Sequence, residues 1–334
     1  MKKKSMGKIK QTTVRSRWIA ASTGIALTVL VAGCGTGGAS SSGQASGNSS
    51  GGTSAQYPVK QLTMASQDFS EPLIDDYMMK DLIEAKTPIK VTIKQTSGAS
   101  GLMHTMMLSN AIQIYTGYDG TEFAGPLKQS YTGKFKGHPN LVSQYVVDQE
   151  MKQWNIWVSP SLGYEDTYAL AVTQATAKKD HLKTVSDAIP YAKNWVLGTD
   201  PTFQARKGDG LADFEKDYGI QFKSAKAMSY DLMYQALANN AVQAAVSYST
   251  DGRLKKLHEV PLVDNKHFFP PYHAVALIND KVFQEDHLGP ILKPLWGVIT
   301  TADQTELNYE VDVLKKDPAT VARDFLVSKG LLSK

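Results

Sequence analysis

The 334-residue sequence has a single cysteine, Cys34. One thiol cannot close an intrachain disulfide, and it cannot supply a multi-cysteine metal site. Long apolar runs are also missing. The leading candidate, Ile19 to Ala32, covers about 14 residues, short of the roughly 20 that a transmembrane helix requires. From Pro58 onward there is no Gly-x-Ser-x-Gly elbow and no Gly-Lys-Ser/Thr phosphate loop, so the common hydrolase and nucleotide-binding signatures are absent. The seven histidines (His104, His138, His181, His258, His267, His273 and His287) include no pair at zinc-protease spacing. No cofactor and no metal ligand set is expected. Basic charge is concentrated at one end. The chain carries +4, yet residues 1–18 alone contribute seven cations (Lys2, Lys3, Lys4, Lys8, Lys10, Arg15, Arg17) and no acid, leaving −3 for the rest. A mildly acidic body argues against nucleic acid as a partner.

A basic n-region followed by a short apolar stretch is the pattern of a secretory signal, here residues 1–33. The run ends in Leu30-Val31-Ala32-Gly33-Cys34, which resembles the lipobox of bacterial lipoproteins. That resemblance implies acylation of Cys34 and an extracytoplasmic protein anchored to the cell membrane by lipid. Residues 34–57 then form the lipidated Cys and a linker of mostly Gly, Ser, Ala and Thr, without a large apolar side chain before Tyr57. Such a stretch buries too little surface to offset its ordering entropy, so it is expected to act as a flexible tether.

Beyond residue 57, strand and helix patterns alternate. Ile89–Lys94 alternates apolar and polar residues, as a half-buried strand does. Further strands are expected at Gln61–Ala65, Ile112–Tyr115, Asn155–Val158, Thr167–Thr173, Trp195–Leu197, Val242–Tyr248 and Ala274–Leu277. Ser70-Glu71-Pro72 opens a helix with Ser70 as its N-cap, and the Asp75-Asp76 pair on it is expected to be solvated. Thr184 with Asp187 forms a capping box, Gly219 closes a helix over Asp209–Tyr218, and Asp317-Pro318 opens the last one. This alternation predicts an α/β fold with mostly parallel sheets.

Two segments echo each other. Asn110-Ala111-Ile112-Gln113 is followed by Tyr118 and Asp119-Gly120; Asn240-Ala241-Val242-Gln243 is followed at the same spacing by Tyr248 and Asp251-Gly252. The echo predicts two lobes of similar build, each with a tyrosine at the C-terminal end of a strand. Ligands of open α/β sheets sit outside such ends. Two more tyrosines stand at loop–strand junctions: Tyr168 after Asp166-Thr167, and Tyr272 after Pro270-Pro271. Together the four suggest an aromatic box. A quaternary ammonium suits one, because it has no N–H to donate and ring faces offer it negative potential with apolar surface, roughly 0.5–2 kcal/mol per contact. Asp166 adds charge complementarity.

Over nearly all of residues 60–330 the chain resembles the substrate-binding proteins of osmoprotectant (glycine betaine/carnitine/choline) ABC importers. The stretches that carry the resemblance are Ser66-Gln67-Asp68-Phe69-Ser70-Glu71, Thr167-Tyr168-Ala169-Leu170-Ala171-Val172, Ser249-Thr250-Asp251-Gly252-Arg253-Leu254, Lys266-His267-Phe268-Phe269-Pro270-Pro271-Tyr272 and Glu306-Leu307-Asn308-Tyr309-Glu310-Val311-Asp312. It implies a two-lobed periplasmic-binding-protein fold of type II, with a ligand cleft between hinge-linked lobes. One lobe is expected from residues 58–166 and 270–334, the other from 167–269. It also implies a cage of Tyr118, Tyr168, Tyr248 and Tyr272 around the ammonium, with Asp166 beside it. Ligands with a carboxylate tail would meet Gln67, Thr121 and Arg206, the last because a guanidinium fork suits a carboxylate. The implied partners are an ABC permease and its cytoplasmic ATPase. Three departures lie on the first lobe: Gln113 where the family has an acid, Thr116-Gly117 and Asp119-Gly120-Thr121 where it has Pro-Glu before Tyr118 and Thr-Gly-Thr after it, and the stretch Ser97-Gly98-Ala99-Ser100. The expected function is a binding protein, not an enzyme. An anchored hydrolase, or a binder of amino acids held mainly by Arg and Asp, are the competing readings.

Overall fold

A computed structural model describes residues 57–96 and 100–333. The signal, Cys34, most of the tether and Ser97-Gly98-Ala99 lie outside the described residues. Two five-stranded sheets are formed, with strands numbered along the chain. The first contains β1 (Gln61–Ser66), β2 (Lys90–Gln95), β3 (Ile114–Tyr118), β4 (Ile156–Val158) and β10 (Ala274–Asn279), in the order β2-β1-β3-β10-β4. The second contains β5 (Tyr168–Thr173), β6 (Val196–Thr199), β7 (Ser224–Ala227), β8 (Ala244–Tyr248) and β9 (Glu259–Leu262), in the order β7-β6-β8-β5-β9.

The α/β class is as expected, and four of the five strands in each sheet run the same way. In each sheet one strand runs against its neighbours: β10 pairs antiparallel with β3 and β4, and β5 with β8 and β9. The reason is the path of the chain. These are the strands that follow each passage from one sheet to the other, so they enter at the end where the parallel strands finish and run back. The two passages lie side by side, with Glu165 bridged to His273 and the Asp166 N–H donating to the Tyr272 carbonyl at 3.0 Å.

The first sheet is covered on both faces, which is why β3 is buried along its whole length. One face carries the Ser70–Lys86 helix; the other meets Met103, Met107, Phe123, Val142 and Val146 from the Ser100–Leu108, Asp119–Ala124 and Pro139–Trp154 helices. The capping box at Thr184 and the left-handed Gly219 form as predicted. Two expectations about the Ser70–Lys86 helix fail. Its N-cap is Phe69, and the Ser70 hydroxyl instead donates to Asp312 at 2.9 Å. Asp75 and Asp76 are fully buried, because this helix lies between the sheet and the helices Leu288–Leu292, Thr301–Asp312 and Pro318–Ser328. Asp75 accepts from the Tyr164 hydroxyl at 2.6 Å, and Asp76 from the Thr116 hydroxyl at 2.8 Å.

Burial pushes the Asp76 carboxyl up to about 7. A carboxyl whose pKa is higher folded than unfolded favours the native state at low pH, and that contribution is lost as pH rises through the folded value. Asp76→Asn mimics the protonated form. It should therefore raise the melting temperature at pH 8, relieving on the order of a few kcal/mol, and change it little at pH 4. Melting curves at the two pH values check this.

Candidate ligand-binding cleft

The internal echo is structural down to single hydrogen bonds. Asn110 and Asn240 both adopt left-handed backbone, at φ 57 and 56. The Gln113 side chain accepts from the Thr63 N–H and donates to the Asn110 carbonyl; that of Gln243 accepts from the Val196 N–H and donates to the Asn240 carbonyl. Each Gln thus ties its own strand to the neighbouring parallel strand. β3 and β8 then end in Tyr118 and Tyr248, and each Asp-Gly step opens a short helix, Asp119–Ala124 and Gly252–Leu257. Gln113 therefore has a local structural task that needs both a donor and an acceptor, which an ionised acid could not perform.

A cleft of about 360 Å³ lies where these ends meet, large enough for a small solute. Phe69, Ser70, Thr250 and Asn308 line it together with Tyr248 and a set of charges: Asp68, Glu71, Asp166, Asp251, Asp312 and Arg253. Five carboxyls thus stand against one guanidinium, that of Arg253, which is itself paired with Asp251 at 2.9 Å. Glu71 is buried at its floor, accepting from the Tyr118 hydroxyl at 2.7 Å and from the Asn308 amide at 2.8 Å. Half-buried Asp166 accepts from the Thr250 hydroxyl at 2.7 Å. Burial raises the pKa of Glu71, and burial together with repulsion from Glu71 raises that of Asp166.

Three of the four predicted tyrosines meet around Tyr168. Its ring centroid is 4.9 Å from that of Tyr248 and 6.1 Å from that of Tyr272, the latter edge-on at 85°. Tyr168 and Tyr248 are direct cross-strand partners of β5 and β8, and the Tyr248 hydroxyl donates to that of Tyr168 at 3.3 Å. Tyr118 stands on the other sheet and joins the cleft through Glu71. Tyr248 reaches the cleft lining, whereas Tyr118, Tyr168 and Tyr272 are nearly covered, at 5–6% exposure.

The predicted polar residues divide. Asp166 lines the cleft, and buried Gln67 immediately precedes its Asp68 wall. Thr121 is half-buried in the Asp119–Ala124 helix, outside the lining. Arg206 is also outside it, ion-paired with Asp209 at 3.1 Å, with its guanidinium carbon 5.6 Å from the Tyr168 ring centroid. A cation of the protein's own thus already faces the central ring. Glycine at 117 and 120 reflects crowding: a Cβ on Gly117 would lie 2.7 Å from Leu277 Cδ1, and one on Gly120 2.0 Å from the Pro271 carbonyl oxygen. Gly120 lets the Asp119–Ala124 helix approach the turn that carries Tyr272.

Sequence reasoning left several supporting residues without a role. Glu71 and Asn308 stand 237 positions apart, and no local pattern marks them as partners. Asp209, a helix residue by sequence pattern, accepts from the Tyr272 hydroxyl at 2.7 Å and holds Arg206. Phe203 and Phe269 pack on Tyr168, at 5.2 and 5.6 Å between centroids.

Among the described residues no helix is long and apolar enough to cross a membrane. Residues 60–328 match the family model described as the substrate binding domain of ABC-type glycine betaine transport systems. The chain is 36% identical over 259 residues to a carnitine transport binding protein, OpuCC, of Listeria monocytogenes, covering 77% of this chain and 83% of that one. It is 30% identical over 277 residues to the ergothioneine transport permease/ergothioneine binding protein EgtU of Helicobacter pylori, covering 81% of this chain and 48% of that one. A crystal structure of a glycine betaine/carnitine/choline ABC transporter protein superimposes with a TM-score of 0.74 at 33% identity, over 81% of this chain and 99% of the other. The two-sheet architecture is that of the two-lobed periplasmic binding proteins, and the chain belongs to the family of substrate-binding domains of ABC-type glycine betaine transport systems.

Proposed function

We propose that this protein captures a quaternary-ammonium osmoprotectant, choline, glycine betaine or carnitine, in a tyrosine cage and delivers it to an ABC permease. The observation that carries the reading is the pairing of an acid-rich cleft with converging phenol rings. Tyr248 lines the cleft with Tyr168 and Tyr272 packed behind it. Opening of the lobes brings these rings and Tyr118 of the other sheet to opposite sides of the ligand, and Glu71 and Asp166 supply negative charge. Residues 58–166 and 270–334 act as one lobe and 167–269 as the other. The adjoining passages at Glu165–Tyr168 and Phe269–His273 act as the hinge, since hinge closure is the established motion of two-lobed binding proteins. Contacts across the cleft fit a closed form: Asn308 donates both to Glu71 and to the Thr250 carbonyl, and Lys136 pairs with Asp217 at 2.8 Å.

Substrate-binding proteins of ABC importers work outside the cytoplasm. Here acylation at Cys34, after removal of residues 1–33, anchors the domain to the membrane, and the Gly/Ser tether lets it turn toward the permease. The cytoplasmic ATPase supplies the energy of transport, and the binding protein itself performs no catalytic step.

Calorimetric titration with choline, glycine betaine, carnitine, ergothioneine and proline tests the reading. Saturable binding of a methylated ammonium compound, with proline much weaker, supports it; preference for proline or an ordinary amino acid rejects it. Arg206 separates the ligands further. With its guanidinium beside Tyr168 and its fork suited to a carboxylate, Arg206→Ala should weaken glycine betaine and carnitine by about tenfold or more while leaving choline unchanged or tighter. The same titrations measure that split.

A further inference from the structure

A second polar cluster lies in the first sheet's outer core. His104, Glu122 and Glu150 come from three separate helices, Ser100–Leu108, Asp119–Ala124 and Pro139–Trp154. Glu122 and Glu150 are fully buried and His104 is 4% exposed. His104 Nε2 is 3.1 Å from Glu150 Oε2, and one donor atom from each residue falls within 4.8 Å of the others. Glu122 has only the buried Tyr115 hydroxyl beside it, and Glu150 Oε1 accepts no hydrogen bond from a described residue. Buried carboxylates are almost always paired, because desolvating an unpaired one is costly. The Trp154 ring meets the His104 ring edge-on at 4.5 Å, which fixes the imidazole. Lack of a side chain at 117 leaves Glu122 its room: a Cβ there would come 3.1 Å from Oε1.

We propose that His104, Glu122 and Glu150 bind one zinc ion, a structural site that clamps three helices onto the first sheet and is separate from the cleft. The chemistry follows from the donors. One imidazole and two carboxylates form a nitrogen–oxygen set that zinc accepts, with ligand distances of roughly 2.0–2.2 Å reached by a small inward shift of each side chain. A divalent ion neutralises the two buried carboxylates. The imidazole disfavours magnesium and calcium, which prefer all-oxygen shells. The buried Tyr115 hydroxyl, beside Glu122, is a further oxygen at hand. Separations of 18 and 28 residues along the sequence are why no ligand spacing was visible.

The test uses the full chain, purified in detergent without added histidines, incubated with zinc chloride and passed through gel filtration. One zinc per chain should remain by mass spectrometric metal analysis. Zinc should raise the melting temperature by roughly 5 °C, and chelator should reverse the rise. The near-isosteric Glu122→Gln should melt cooperatively in chelator, bind the wild-type amount of osmoprotectant and retain less than a tenth of the zinc. If that variant does not fold, His104→Gln carries the same comparison. Wild-type protein that retains no stoichiometric zinc overturns the proposal and leaves a proton on Glu122 as the compensating charge. Zinc retained equally by wild type and variants overturns it as well.

Discussion

Tyr168→Ala should weaken choline binding by well over tenfold, while Tyr168→Phe should keep most of the affinity. Tyr168 is the ring that touches Tyr248, Tyr272, Phe203 and Phe269. Alanine removes its own face and also the support that positions these four neighbours. Each cation–ring contact contributes about 0.5–2 kcal/mol, so losing one and loosening others exceeds the 1.4 kcal/mol of a tenfold change. Phenylalanine keeps the face and gives up a hydroxyl whose partner is the Tyr248 hydroxyl at 3.3 Å, a long bond. Titration calorimetry of both variants reads the difference; equal losses from Ala and Phe would mean that the hydroxyl, not the ring face, holds the ligand.

The second large effect belongs to the carboxyls. Glu71 and Asp166 are both raised above their ordinary values, by burial first, and Asp166 also by the charge of Glu71. A bound ammonium favours their ionised forms. Choline affinity should therefore climb as pH rises through their titration and fall on acidification. Stability of the ligand-free protein runs the other way: carboxyls with raised folded values contribute at low pH, and the contribution is lost as pH rises. The melting shift caused by choline should accordingly be largest at the alkaline end. The double variant Glu71→Gln, Asp166→Asn keeps the acceptors for Tyr118 and Thr250 but removes the charge. At an effective dielectric near 20, two charges a few ångströms apart interact by roughly 4 kcal/mol, and after screening by water about a hundredfold loss is expected. The variant should also bind choline with a flat pH profile. A wild-type slope that survives in the double variant would assign the titration to another group.

Much of this was legible along the chain because it rests on local rules. The helix caps at Thr184 and Gly219 are set by residues within one turn. The Asn-x-x-Gln echo announced two sheets of like build because both copies perform the same backbone hydrogen bonding. What stayed hidden depends on long-range packing. Asp75 and Asp76 looked solvated because a pair of acids on a helix usually is; only the layer of C-terminal helices folding back over Ser70–Lys86 buries them. The antiparallel entry of β5 and β10 follows from where the chain crosses between sheets, which no local pattern encodes. The convergence of Tyr168, Tyr248 and Tyr272 was foreseeable from their places at strand ends, whereas the Glu71–Tyr118 and Asp209–Tyr272 bonds that orient the rings join distant segments.

Most directly decisive is a crystal structure of the protein with choline. The trimethylammonium group should stand between the lobes, within about 6 Å of the ring centroids of Tyr168, Tyr248, Tyr272 and Tyr118, with Glu71 and Asp166 as the nearest anions. Choline found elsewhere, with Tyr168, Tyr248 and Tyr272 still packed together and Arg206 still over the Tyr168 ring, would contradict the cage.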